Sequence, residues 1–259
     1  MVKFSASTKE KISACIITFN EEENIGECLE SLKWADEIIV VDSGSTDRTE
    51  EICNQAGARF FVHPFAGFRD QKNIAVEKAQ NDWIISLDAD ERVTVELREE
   101  IIRILAESGS KEGCDGYYVP RMNYYGKKLI IHSGWYPDYK IRVWRKSRGR
   151  WDGKNIHEKV VVDGKVGYLQ GGLIHFTYRN IGDYLKRIES YSTWLARERV
   201  DSGKGFSFLN LLFCAPGRFI KSYILKLGFL DGLEGFIIGT MTSYLKFIEE
   251  IKVREIQRK

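Results

Sequence analysis

Trp83-Ile84-Ile85-Ser86-Leu87-Asp88-Ala89-Asp90 is the stretch from which the fold is read. A mostly apolar run closed by a polar turn predicts a buried strand, and the turn carries carboxylates at i and i+2. Side chains alternate along an extended segment, so Asp88 and Asp90 can leave the strand's C-terminal end on one side. Ligands of open α/β sheets bind at that end. Two hard oxygen donors there suit Mg²⁺ or Mn²⁺, and such an ion suits a diphosphate. The competing reading is a pair of solvated loop acids, capping a helix that starts near Thr94.

Upstream, strand and helix patterns alternate. Ile12 to Phe19, Glu37 to Asp42 and Ala58 to His63 are β-rich runs. Glu21 to Leu32 carries Ile25, Cys28, Leu29 and Leu32 at helical spacing, and Asp47 to Ala56 and Arg69 to Gln80 read as further helices. A helix from Val95 to about Glu107 follows the Asp88 strand. Strands alternating with helices imply a parallel sheet with right-handed crossovers.

After Gly113 the pattern changes. Gly116 to Asn123 and Lys127 to His132 predict a hairpin around Tyr125-Gly126, and Tyr139 to Trp144, Glu158 to Val162 and Gly167 to Phe176 are strand-like. From Asn180 the chain reads as helices over Ile181 to Asp201, Phe206 to Leu227 and Leu233 to Lys252.

A chain of 259 residues can bury one large core. A net charge of +2 gives no general reason to expect nucleic acid as a partner. Between Lys140 and Lys154, however, Lys140, Arg142, Arg145, Lys146, Arg148, Arg150 and Lys154 face Asp152 alone. Such a run is either a solvated face or a patch for an anionic donor or a membrane surface. Five scattered cysteines without a CxxC fit neither a disulfide framework nor a zinc site, and favour a reducing, cytoplasmic setting. Met1 to Lys11 shows no apolar h-region, so no signal peptide is expected. No apolar run is long enough for a transmembrane helix.

Polar sites recur at successive strand ends. Strand one ends in Thr18-Phe19-Asn20-Glu21, strand two in Asp42-Ser43-Gly44-Ser45-Thr46-Asp47, and strand four in the Asp88/Asp90 pair. Small residues after Asp42 turn the chain, and Ser45 or Asp47 can cap the next helix. An acid at a strand end can take a ribose hydroxyl or a base N–H. Neither GxGxxG nor a Walker A pattern occurs, which argues against a dinucleotide-binding Rossmann site or a P-loop.

IITFNEEENIGECLESL, EIIVVDSGSTDRTEEI and ISLDADE, in this order and spacing, resemble family 2 of the inverting glycosyltransferases. The segments FRDQKNIAVEKA, GWYPDYKIRVWRK, NIHEKV and LIHFTYRN are similar to the branch that includes bacterial lipopolysaccharide inner-core β-glucosyltransferases. The resemblance implies an α/β GT-A nucleotide-diphospho-sugar transferase fold, a mostly parallel sheet flanked by helices with a C-terminal helical extension. It assigns residues 1–179 to the catalytic domain, with a nucleotide-binding half to about 112 and an acceptor half from about 113. Residues 180–259 form the extension, a surface for membrane or homo-oligomer contact.

Carried over residue by residue, the resemblance puts Thr18, Asn20 and Glu21 around the nucleotide and Asp42 on the uracil or ribose. Asp88 and Asp90 match the DxD motif, in which the second acid ligates Mg²⁺ or Mn²⁺ and the first meets ribose or a bridging water. Arg69, Lys72 and Asn73 match a segment beside the nucleotide and its diphosphate, and His175 falls near the metal or phosphate. Inversion by single displacement needs a carboxylate to take the acceptor's proton. Where the family has Glu-Asp this chain has His157-Glu158, so Glu158 is the expected base, Asp138 its competitor, and His157 a residue that only positions Glu158.

His63 and His132 read as packing or loop residues. Trp135, Tyr136 and Trp144 are read as core, although aromatics can also stack on sugars. Phe206 to Leu227 is interrupted by Pro216, Arg218 and Lys221, and with the apolar residues of Leu233 to Ile251 the pattern suits lying in a membrane interface rather than crossing it. The expected activity is metal-dependent transfer of a hexose, glucose in the implied case, from a UDP-sugar to a lipid-linked or lipopolysaccharide-type acceptor. The expected place is the cytoplasm, at the cytoplasmic face of the inner membrane. Rival readings are a polyprenyl-phosphate glycosyltransferase, a nucleotidyltransferase and a non-catalytic sugar-nucleotide scaffold.

Overall fold

The computed structural model describes residues 10–107, 113–153 and 158–258, and His157 and Lys154 fall outside them. The first four strands and their helices are β1 (Ile12–Thr18), α1 (Ile25–Ser31), β2 (Glu37–Asp42), α2 (Thr49–Gln55), β3 (Arg59–Val62), α3 (Phe68–Lys78) and β4 (Trp83–Asp88). Then come β5 (Glu91–Val93), α4 (Val95–Glu107), β6 (Gly116–Tyr125), β7 (Lys128–Leu129), β8 (Asp138–Arg145), β9 (Gly149–Asp152), β10 (Lys159–Val162), β11 (Val166–Tyr168) and β12 (Leu173–Tyr178). Three long helices close the chain: α5 (Ile181–Asp201), α6 (Phe208–Phe219) and α7 (Gly232–Gln257). Two compact units result, one running to Arg121 and including Asp138–His175, the other made of Met122–Pro137 and Phe176 onward.

In the first unit the sheet order is β3-β2-β1-β4-β8-β6-β12-β5. The expected parallel crossovers hold for β3, β2, β1 and β4. Beyond β4 the β4–β8, β8–β6 and β12–β5 ladders are antiparallel, and β11 pairs with β6 in parallel. Strand alternation sorts the core into two faces. Ala14, Ile16, Ile85 and Leu87 face α1 and α4, whose Leu97, Ile101 and Leu105 repeat every four residues. Burying each of those three is worth roughly 1.5–3 kcal/mol. Cys15, Ile39, Ile84 and Trp144 lie on the other face with Ala75 and Val76 of α3 and Trp151 of β9.

Sheet register brings the polar strand ends level. Thr18 stands opposite Asp42, and Ile17 opposite Asp88. β5, too short to announce itself by periodicity, starts three residues after β4 ends, yet stands four places away in the sheet order. Three residues of chain reach at most about 11 Å, whereas four strand spacings in a flat sheet are about 19 Å. The sheet therefore curls, and the Asp88–Glu91 turn sits where it folds back.

The second unit packs α5 and α6 on α7 around Ile130, Tyr184, Ile188 and Ile238. Side-chain caps start the helices: Asn180 accepts from Asp183 N and Ser207 from Asn210 N. The helix expected to run to Leu227 instead ends as α6 at Phe219 and continues as a π-helical stretch, Ile220–Leu225. Pro216 lies inside α6, where it removes a backbone donor. His132, expected as a packing or loop residue, pairs with Asp231 at 3.0 Å. Trp144 is buried as expected, while Tyr136 is 45% exposed.

Candidate active site

The β1 and β2 loops are stitched together by short polar side chains. Asp42, buried at the end of β2, accepts from Thr18 Oγ1 (2.8 Å), Gly44 N (2.8 Å), Ser45 N (2.7 Å) and the Ser45 hydroxyl. These four bonds fix the shape of the loop that follows β2. Gly44 turns that loop at φ 92°, a conformation that favours glycine. Asn20 (φ 54°) accepts from Thr46 N at 2.8 Å, and its own N–H donates to Ser45 Oγ at 2.7 Å. Glu21 N donates to Thr49 Oγ1 at 2.8 Å.

Asp88 ends β4 on the face that carries α3 and Trp151. Lys72 Nζ of α3 lies 3.0 Å from Asp88 Oδ1 and 3.0 Å from Glu158 Oε1. The carboxylates of Asp88 and Glu158 are therefore no more than about 6 Å apart, since both touch one ammonium. On the other side of Asp88, Arg142 Nη2 lies 3.0 Å from Oδ2 and 2.6 Å from Glu91 Oε1. Glu91 is completely buried and also accepts from Asp88 N at 3.0 Å, which closes the turn. Arg121 reaches Glu91 at 3.5 Å and Asp138 at 2.6 Å, and Lys140 reaches Asp138 at 3.1 Å. One chain of ion pairs thus runs Glu158–Lys72–Asp88–Arg142–Glu91–Arg121–Asp138.

Burial alone would raise the pKa of Asp88, but Lys72 and Arg142 outweigh it and hold the carboxyl well below the usual range. Burial works the same way on Asp138, and Arg121 with Lys140 again leaves the carboxyl lowered. For Arg142 burial would favour deprotonation, yet Glu91 and Asp88 raise its pKa. Trp151 floors the cluster: Lys72 Nζ is 4.4 Å and Arg142 Cζ 5.8 Å from its ring. Asn73 clasps the Trp151 backbone, donating to its O at 3.0 Å and accepting from its N at 3.1 Å. Arg142 is 3% exposed, and its Nε and Nη1 find no acceptor among the described residues.

Asp90 follows Asp88 in the turn between β4 and β5. Its Oδ2 lies 3.5 Å from His175 Nε2, both side chains being nearly buried. β12 brings the histidine there, because His175 stands opposite Glu91 in the β12–β5 ladder. A carboxylate oxygen beside an imidazole nitrogen suits a divalent ion that takes its remaining ligands from phosphate and water. Among the described residues no group of three or more His, Cys, Asp or Glu side chains is placed to hold a metal without such outside ligands.

The structure thus brings Lys72, Asp88 and Glu158 into contact, pairs Asp90 with His175, and ties Asp138 in through two arginines. Arg69, 43% exposed, stays at the margin on Asp70. Glu91, Arg121, Arg142 and Trp151 were not expected as site residues. Glu91 stood in plain view after the DxD, and Arg142 was hidden in the basic run. That run is not one patch. Arg145 goes to Glu10 and Asp82, Lys146 caps the backbone of Ala79, and Arg150 is 3.8 Å from Asp152.

The model of glycosyl transferase family 2 matches residues 13–163, more than half the chain and every strand end of this site except His175. The chain belongs to glycosyl transferase family 2. Its α/β sheet with the ligand-end acids is the family's GT-A architecture. The chain is 34% identical over 95% of its length to the lipopolysaccharide core biosynthesis glycosyltransferase LpsC of Rhizobium meliloti, covering 92% of that protein. An uncharacterised glycosyltransferase of Rickettsia typhi is 32% identical over 96% of this chain and 89% of its own. Residues 1–349 of S. aureus TarS, solved in complex with UDP, align over 96% of this chain and 91% of that one, with 15% identity and a TM-score of 0.46.

Proposed function

We propose that this family 2 member is a metal-dependent, inverting hexosyltransferase that moves glucose from UDP-glucose to a lipopolysaccharide-core or similar cell-surface glycan. The observation that carries the reading is the convergence of Lys72 and Arg142, both buried, on Asp88 at the ligand end of β4. Cations fixed in a low-dielectric site stabilise charge developing on a leaving diphosphate. The acceptor class rests on the kinship with LpsC, which is named for lipopolysaccharide core biosynthesis.

Thr18, Asn20 and Glu21 wall the nucleotide, with Asp42 bonded to Thr18 and holding the neighbouring β2 loop. Asp90 and His175 hold Mg²⁺ or Mn²⁺, which when bound supplies Lewis-acid neutralisation of the diphosphate. Arg69 adds positive charge at the rim, and Asn73 keeps Trp151 under Lys72. Glu158 is the base. It takes the proton of the acceptor hydroxyl as that oxygen attacks the anomeric carbon and the bond to UDP breaks on the opposite face. A diphosphate competes for the Lys72 ammonium and so releases Glu158 for this step. Asp138 is the poorer base, because two cations hold its carboxyl low.

The test is UDP release from a panel of UDP-sugars with Mn²⁺ or Mg²⁺, with and without core-glycan acceptor. UDP-glucose should give the fastest release, and Asp90→Ala should abolish it. No release or transfer with any donor would leave the chain as a sugar-nucleotide binder and sink the proposal.

A further inference from the structure

The second unit carries a surface that the transfer reaction does not use. Of 28 exposed large apolar side chains among the described residues, 14 fall between Phe208 and Phe247. On α6 and its π-helical continuation, Phe208, Leu212, Pro216, Ile220 and Ile224 recur every four residues. Leu209 and Phe213 run beside them, 66% and 64% exposed. This stripe is distinct from the side that packs on α7. There Ala215 is buried, its carbonyl accepts from Ser243 Oγ at 2.6 Å, and Phe219 meets Phe236. α6 is therefore apolar on both sides, and one side is left largely exposed among the described residues. An apolar groove of about 550 Å³, lined by Leu211, Leu212, Pro216, Tyr244 and Phe247 among others, opens along the same helix.

Charge decides what covers it. From Ser202 to Leu230 there is no Asp or Glu, while Lys204, Arg218, Lys221 and Lys226 are present and exposed. The next acids downstream are already engaged: Asp231 by His132 and Glu234 by Lys128. A self-complementary contact between two copies would set this basic rim against itself with no acid from the same stretch to pair it. A surface of anionic lipid meets both demands, since it buries the stripe and neutralises the rim. No helix among the described residues is long and apolar enough to cross a membrane.

We infer that α6 and the π-helical turn after it dock in the interface of an anionic lipid bilayer, with Leu209, Phe213 and Ile220 inserted and Arg218, Lys221 and Lys226 at the headgroups. The inference stands on the second unit alone and is independent of which donor the first unit takes. It is tested by flotation of the full chain with vesicles of neutral phosphatidylcholine and with vesicles containing about one third phosphatidylglycerol, at low and high salt. The wild type should float with the anionic vesicles at low salt. Leu209→Ser with Phe213→Ser should lower the partition coefficient about tenfold or more. Arg218→Glu with Lys221→Glu should lower it by a similar factor, and the loss should shrink at high salt. Both pairs are exposed, and far-UV circular dichroism checks that the folds match. Three results would overturn the inference: no flotation of the wild type, equal flotation on neutral vesicles, or wild-type flotation of the serine variant. A dimer in sedimentation velocity that the serine variant splits, with no vesicle binding, would assign the face to a second copy instead.

Discussion

Arg142→Met removes a guanidinium that is nearly fully buried between two acids, 2.6 Å from Glu91 and 3.0 Å from Asp88. Breaking a buried pair by deleting one partner costs about 3–5 kcal/mol, because the other charge stays desolvated. Arg121 remains 3.5 Å from Glu91 and Lys72 remains 3.0 Å from Asp88, so the lower end applies, about 3 kcal/mol. Against a total stability of about 5–15 kcal/mol the variant folds but is visibly weakened. The acid dependence is the sharper test. The folded-state pKa of Asp88 lies below its unfolded value. Its contribution to stability is therefore present above the unfolded pKa, about 3.9, and is lost as pH falls toward the folded value. Removing Arg142 lets the folded pKa rise, so the penalty should be full at neutral pH and shrink below about pH 4. Urea unfolding of wild type and variant at pH 7 and about pH 3.5 measures both quantities. A penalty under about 1 kcal/mol at pH 7, the scale of an exposed pair, or one that does not shrink in acid, would show that the guanidinium is not the keystone of this cluster.

Glu158→Gln should lower turnover by about 10²–10⁴ while leaving donor affinity within a few-fold, as expected for a general base; Asp138→Asn should cost far less, and the reverse ranking in UDP-release kinetics would exchange the roles. Asn73→Ala should unfold about 1–3 kcal/mol more easily, from two lost backbone bonds at 3.0 and 3.1 Å. The same change should reduce kcat more than it raises KM, because Trp151 no longer holds Lys72 in place. Burial pushes the Cys53 thiol up to about 12 and raises Cys15 and Cys28 as well. An aromatic disulfide reagent at pH 8 should therefore titrate Cys214 and at most Cys114 in the native protein, and five thiols after unfolding.

What the sequence determined by itself was everything carried by short-range pattern. Apolar runs of β1, β2 and β4 alternate with helical spacing in α1 and α3, so the parallel half of the sheet could be read, as could the acids at its ligand end. The rule that strand ends bear the site pointed to Thr18, Asn20, Asp42, Asp88 and Asp90 as polar strand ends, and the family resemblance implied their roles. The tertiary structure decided which charges meet. Arg142 joins Asp88 across 54 positions because β8 pairs antiparallel with β4, and pleating puts Trp144 and Arg142 on the face of Ile84 and Asp88. In the sequence it was one of seven basic residues in a run, of which Arg145, Lys146 and Arg150 go elsewhere. Glu158 reaches Lys72 across 86 positions, and His175 reaches Asp90 only because β12 lies against the three-residue β5. Such register is set by packing between distant strands and leaves no local periodicity. Asp42 shows the converse: its place was legible, but its four internal hydrogen bonds exist only once Thr18, Gly44 and Ser45 close around it.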